Sequence, residues 1–286
     1  MSGNAAYGER RLPPEFADRA RAAAGGHVEA VPARDSATVV LLRDTRDGIQ
    51  AYLLRRVSSM AFAAGMHVFP GGSVDPRDLT LPESCWAGQP ATAWARVLTA
   101  EPGLARALVC AAVRETFEES GVVLAGPSAN EVVTDATDDS WEADRLALLD
   151  RSRSLNAVLT RRQLVLRADL LRPWAHWITP EIEPRRFDTR FFIAALPTGQ
   201  RTRHVGGEAD RVEWLTPREA LDRAVAGDVG LLPPTAFTLA ELTGYPDVAA
   251  VLAAAEARDI RPTLPRVVMS GADAIVLLPG EPGYPA

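Results

Sequence analysis

Aliphatic and β-branched residues dominate positions 36–43, and a second such run occupies 49–57 after Asp47-Gly48. Two strand-like runs separated by Asp-Gly predict a hairpin. Farther on, Val109, Ala112, Val113, Thr116 and Phe117 follow the i, i+3, i+4, i+7, i+8 rule and predict a helix with one apolar stripe. Glu115, Glu118 and Glu119 project mainly from its other side, and Gly121 supplies the stop. Strand character recurs at 122–124, 174–178, 191–196 and 212–215. Helical patterns occupy 141–149, with Asp138-Asp139-Ser140 as the cap segment, and 160–170. Thr216-Pro217-Arg218-Glu219 starts a helix reaching 226, with Pro at the first position and Glu at the third. Residues 233–258 predict two helices broken at Gly244-Tyr245-Pro246, and a final hairpin joins 266–269 to 274–278. Ahead of all this, a lead-in helix is expected over 15–24.

Composition changes this picture in three ways. At 286 residues the chain predicts one α/β domain with additions: a core over 36–226, insertions at 79–104 and 127–171, and a C-terminal helical extension from 227. A net charge of −6 argues against a nucleic-acid partner held by a broad basic surface, although all 31 basic residues are Arg. Cys85 and Cys110 are too few for a disulfide framework, and His27, His67, His176 and His204 are too scattered for a ligand spacing. No stretch approaches the roughly 20 apolar residues of a membrane span, and charges interrupt the N-terminus, so a cytoplasmic protein with no membrane partner is expected.

The acidic helix carries the chemistry. Glu115 and Glu119 are an i, i+4 like-charge pair, which costs about 0.2–0.5 kcal/mol, and Arg114 stands in register with Glu118 alone. Clustered carboxylates of this kind suit the hard cations Mg²⁺ and Mn²⁺. Upstream, Phe69-Pro70-Gly71-Gly72 offers a tight loop whose backbone can approach a metal or phosphate.

Together, Phe69-Pro70-Gly71-Gly72 and Arg114-Glu115-Thr116-Phe117-Glu118-Glu119-Ser120-Gly121-Val122 resemble the Nudix box, G-x5-E-x7-R-E-U-x-E-E-x-G-U with U bulky and aliphatic. Two departures stand out. Asp78 occupies the x5-E position, one methylene shorter than Glu, and residues 79–113 fill a gap that the pattern closes in seven. The inserted segment, about 79–104, reads as a loop with one short helix that walls or covers the site. Tyr52-Leu53-Leu54-Arg55-Arg56-Val57-Ser58-Ser59-Met60 is similar to the upstream pattern of coenzyme A diphosphatases, except that Ala63 stands where those enzymes have His. The branch with a long insertion inside the box also shares 185–192 and 231–235.

The resemblance implies an α/β fold, an α/β/α sandwich around a mixed sheet. It implies Mg²⁺- or Mn²⁺-dependent hydrolysis of a small-molecule diphosphate, with coenzyme A or an acyl derivative first. ADP-ribose, nucleotide sugars and dinucleotides are the alternatives, as is a binding module without hydrolysis. It assigns Glu115, Glu118 and Glu119 as metal ligands, with a Gly71 or Gly72 carbonyl, and Arg114 as the group that orients a glutamate. Glu208 is the candidate general base and Glu118 the second choice. Arg55, Arg56, Arg186 and Arg190 are the candidate phosphate contacts, and family members are often homodimers.

Overall fold

The computed structural model describes residues 18–22, 30–57, 64–203, 209–271 and 273–284. β1 (Arg34–Thr45) and β2 (Gly48–Arg56) form the expected hairpin, in register from Thr45 opposite Gly48 to Leu42 opposite Ala51. Away from the turn the two strands part. β3 (Met66–Val68) pairs with Leu54 and Arg55 of β2, and β4 (Gly71–Ser73) pairs with Ser36, Ala37 and Thr38 of β1. The fork between the hairpin arms therefore holds the glycines, which lie in a short strand instead of the tight loop expected. An added Cβ at Gly71 would stand 2.5 Å from the Thr38 hydroxyl, and one at Gly72 would stand 2.3 Å from a Glu115 carboxylate oxygen. Absence of a side chain, rather than an unusual φ, is what these positions need.

β8 (Arg172–Ile178), β9 (Phe187–Ala195), β10 (Ala209–Leu215), β11 (Gly230–Leu231) and β12 (Pro262–Thr263) complete a mixed nine-stranded sheet. β9 runs parallel to β1, from Phe187 opposite Arg34 to Ala195 opposite Leu42. Side chains alternate between two buried layers: Val39, Leu41, Tyr52 and Leu54 enter one, Val40, Leu42, Ala51 and Leu53 the other. Leu41 and Leu42 are both fully buried, each worth about 1.5–3 kcal/mol. A one-residue slip of β1 would exchange Val39 and Leu41 for Val40 and Leu42.

The first layer contains α1 (Ala91–Leu98), α2 (Pro102–Ser120), α3 (Asp139–Leu149) and α4 (Leu155–Arg162). The second contains α5 (Pro217–Val225), α6 (Pro233–Leu242) and α7 (Val248–Glu256). The expected α/β/α sandwich is present. Thr216 caps α5 by accepting from the Glu219 N–H, and Gly121, at φ +74°, ends α2.

Four expectations need correction. α2 is not a helix with one buried stripe: between α1, α3 and the sheet, Leu108 to Glu118 are all buried. The second insertion helix is α4, earlier than 160–170, because Gln163 turns left-handed at φ +55° and ends it. Leu164 and Leu166 then alternate inward, and β7 (Val165–Arg167) joins β5 (Trp86–Ala87) and β6 (Ala125–Gly126) in a small three-stranded sheet. Residues 122–124 are irregular, and β6 follows them. Segment 79–104 holds short 3-10 turns, β5 and α1, and its Trp94 and Leu98 are buried in the first layer, so much of it is core.

β13 (Arg266–Ser270) and β14 (Asp273–Leu277) form the expected terminal hairpin. Of the lead-in helix only residues 18–22 are described, and they are helical. Among the described residues no helix is long and apolar enough to cross a membrane.

Candidate active site

The last two turns of α2 face the fork in the sheet. The Gly71 N–H donates to Glu119 Oε2 at 2.8 Å, which fixes this carboxylate against β4. Glu115 packs on the Cα of Gly72, in space that any Cβ would fill. Arg114 is buried at the centre of the cluster. Its Nη1 donates to Glu115 at 2.7 Å and Glu118 at 3.2 Å, and its Nη2 to the Ser73 carbonyl at 2.8 Å. Asp78, 3% exposed, takes the remaining side of the guanidinium, with Nε to Oδ1 and Nη2 to Oδ2 both at 3.0 Å.

This bidentate pair accounts for the shortened residue. Asp78 lies in a 3-10 turn over Pro76–Thr80, where Asp75 and Asp78 cap each other's backbone N–H groups. The turn rests on α2, so the shorter side chain reaches Arg114 because its backbone comes closer. Arg114 thus serves three carboxylates, where helix spacing alone predicted one.

Electrostatically the cluster is short of positive charge. Burial pushes the Glu115 and Glu118 carboxyls above the ordinary carboxylate range, against the pull of Arg114. Burial also acts to lower the Arg114 pKa, but Glu115, Asp78 and Glu118 outweigh it and raise it. Oxygen donors alone, a buried excess of negative charge and a glycine that admits a carboxylate at its Cα fit a hard divalent cation. As placed, with Arg114 holding Glu115 and Gly71 holding Glu119, no three acidic, His or Cys side chains among the described residues converge on one point.

The cluster opens into a cleft of about 1490 Å³. Its floor is one face of the central parallel pair, with Arg34, Ser36 and Thr38 beside Phe187, Thr189 and Phe191. Trp177, Ile178, Leu232, Val267 and Val276 make an apolar wall, so the C-terminal hairpin borders the cleft. Leu79, Leu104, Leu149 and Arg151 bring in both insertions.

Of the arginines expected at phosphate, Arg56 alone lines this cleft. Arg55 is partly exposed and forms a two-point pair with Asp210 at 2.7 and 3.0 Å. Arg186 donates to the carbonyls of Thr179 and Val31. Arg190 is buried, bonded to Asp188 and facing the Leu98 carbonyl, with His176 sharing Asp188. Each of these three donates to a strand or loop neighbour, and none lines the cleft. Glu208 lies outside the described residues. Sequence reasoning missed Asp78 as the partner of Arg114, and missed Arg34, Arg185 and Arg151 at the cleft. The parallel register of β1 and β9 puts Arg34 opposite Phe187, two residues after Arg185, and no short-range pattern signals that register.

A glycine strand docked against an Arg-Glu-x-x-Glu-Glu helix in an α/β/α sandwich defines a Nudix hydrolase fold. Residues 99–242, half of the chain, match the NUDT19 Nudix domain, and the protein belongs to that family. The match starts after Phe69–Gly72 and ends at the last residue of α6. The chain is 28% identical over 275 residues to the acyl-coenzyme A diphosphatase NUDT19 of Gallus gallus, covering 81% of this chain and 72% of that one. It is 27% identical over 214 residues to the putative nudix hydrolase 7 of Caenorhabditis elegans, covering 75% of this chain but 62% of that protein, less than two thirds of its length. Among solved structures, a NUDIX hydrolase from Alicyclobacillus acidocaldarius superposes with a TM-score of 0.68 at 28% identity, covering 78% of this chain and 96% of that one.

Proposed function

We propose that this protein hydrolyses the diphosphate linkage of coenzyme A or an acyl-coenzyme A, releasing 3′,5′-ADP and a phosphopantetheine. The observation that carries the reading is the cleft, which joins the buried carboxylate cluster to a long apolar wall. The relatives named acyl-coenzyme A diphosphatase agree with it.

Diphosphates resist hydrolysis because their charge repels nucleophiles, and Mg²⁺ or Mn²⁺ bound by Glu115, Glu118, Glu119 and a Gly71 or Gly72 carbonyl would neutralise phosphate oxygens and lower the pKa of water. The chain's own part is positioning. Arg114 holds Glu115 and Glu118 in fixed rotamers by charge-assisted bonds, with Asp78 locking the guanidinium from behind. Gly71 orients Glu119. Glu208 is the proposed general base, since Ala209, the residue after it, lines the cleft and pairs with Arg56. Glu118 is the second choice.

The cleft also sorts the substrate by length. Arg34 stands four residues from Thr38 along β1, about 13 Å at the rise of a strand, and Thr38 pairs with Gly71 beside Glu119. A pyrophosphate at the glutamates therefore leaves room for a further group toward Arg34 and Arg185, which suits a second phosphate. The wall of Trp177, Ile178, Leu232 and Val267 suits the pantetheine and acyl arm.

Purified full-length protein with Mg²⁺ or Mn²⁺ should release 3′,5′-ADP selectively from coenzyme A or acetyl-coenzyme A within a panel containing ADP-ribose, NADH and diadenosine polyphosphates. Preference for another member would keep the chemistry and discard the substrate. Binding without turnover of any of them would identify a non-catalytic module.

A further inference from the structure

The insertion at 127–171 brings one cation to the carboxylate cluster. Arg151 follows α3 and its cap residue Asp150, lines the cleft together with Glu118 and Glu119, and acts electrostatically on Glu118. Its backbone is left-handed at φ +61°, where glycine is the residue of choice and a side chain is strained. Thr99 and Gln163 adopt the same conformation at the ends of α1 and α4, but neither lines the cleft. The Arg151 guanidinium forms no hydrogen bond or ion pair with any described residue. An exposed arginine on strained backbone that lines a cleft beside Glu118 and Glu119, its guanidinium without a hydrogen-bond or ion-pair partner among the described residues, is a backbone outlier at a candidate site and points to a ligand.

Its position is fixed from below. The 3-10 turn that gives Asp78 to Arg114 also gives Arg77, whose Nη1 donates to the Arg151 carbonyl at 2.9 Å. Asp75 grips Arg77 through Nε and Nη2 at 2.9 and 2.8 Å, and the Arg151 N–H donates to the Leu148 carbonyl at 3.0 Å. Arg114 and Arg151 are therefore tied to the same five-residue turn. The scaffold that orients the glutamates sets the reach of the second guanidinium.

We propose that Arg151 binds non-bridging oxygens of the substrate diphosphate on the side away from the divalent cation that the glutamates would hold. This rests on the diphosphate reading above and adds a residue to it that lies outside the box. The long insertion is then part of the substrate site, and its anionic ligand is shared between two elements far apart in the chain. Arginine suits the task, because its planar fork takes two phosphate oxygens at once and keeps its charge at any working pH.

The test uses inorganic pyrophosphate and Mg²⁺, with binding to the full-length protein measured by calorimetry. R151G removes the guanidinium and relieves the backbone strain, R151K keeps a charge, and R46Q, at a hairpin turn remote from the cleft, controls for net charge. R151G should bind pyrophosphate about tenfold more weakly, the scale of one charge-assisted hydrogen bond, with an unchanged or higher melting temperature. R151K should recover part of the loss and R46Q should match wild type. Pyrophosphate affinity of R151G within about twofold of wild type, or no binding by wild type, overturns the proposal. Pyrophosphate binding that depends on Arg151 in a protein that hydrolyses no diphosphate would sustain this inference while the reaction proposed above fails.

Discussion

Two buried ionic clusters lie on the same side of the sheet with opposite imbalances. Around Arg114, one guanidinium serves Asp78, Glu115 and Glu118. Around Asp144, one fully buried carboxylate serves Arg153, Arg161 and Arg162. The second cluster settles its excess charge with solvent, since the Arg153 and Arg161 side chains are 44% and 49% exposed, and Arg162 stacks on Trp141 at 3.5 Å. The first has no such outlet, because the Glu115 and Glu118 side chains are only 12% and 9% exposed. Unbalanced charge that reaches water is structural. Unbalanced charge confined to a cleft calls for a ligand.

The largest effect that would sharpen this contrast is E119Q. Replacing a proposed ligand should lower metal-dependent turnover on the order of 10³-fold, while the melting temperature stays close to wild type because Gln still accepts from Gly71. Paired activity and thermal-unfolding measurements would show it, and an E119Q enzyme at full rate would end the comparison. D144N should do the reverse. Leaving three guanidinium groups around a neutral amide costs about 2–3 kcal/mol, below the usual penalty for a broken buried pair because two of the arginines reach solvent. Denaturant titration should register that loss, with turnover per folded molecule preserved.

A smaller effect concerns the link between the clusters. Arg145 on α3 donates to the Glu118 carbonyl at 2.9 Å and is held by Glu142, which also pairs with Arg203. Arg145, and Arg203 after it, hold the Glu142 carboxyl down to about 2. A folded pKa below the unfolded value of about 4.3 adds stability that is present above that value and lost as pH falls toward 2. E142Q should therefore be less stable than wild type at neutral pH, and the gap should close over that acid range in thermal melts recorded against pH. R55A is expected to change least, since the Arg55–Asp210 pair lies at the surface away from the cleft. A large loss of turnover in R55A would return Arg55 to the phosphate site.

Much of the layout was legible because its signals are local. The β1–β2 hairpin followed from Asp47-Gly48 between two apolar runs, α5 from Thr216-Pro217 with Glu219, and the break between α6 and α7 from Gly244 and Pro246. The second insertion helix was misplaced because Leu159, Leu166 and Leu170 stand at helical spacings by chance, and left-handed Gln163 ends α4 without a glycine to announce it. The α2 carboxylates were read on the side opposite one apolar stripe, and helical periodicity did not reveal that β4 and the 76–80 turn bury that side as well.

By itself the sequence determined the alternation that sorts β1 and β2 into two layers, the paired glycines and the Arg-Glu-x-x-Glu-Glu helix that mark the family, and the oxygen chemistry of the site. Each depends on residues a few positions apart, where strand and helix periods act directly. Only the tertiary structure decided that Asp78 and Arg114, 36 residues apart, form the pair at the centre of the cluster. It likewise decided that Arg190, Arg186 and Arg55 are bound elsewhere, while Arg34, Arg185 and Arg151 face the cleft. In a chain whose cations are all arginine, residue type cannot separate structural from functional charge. The partner that each guanidinium meets does so, and long-range packing chooses that partner.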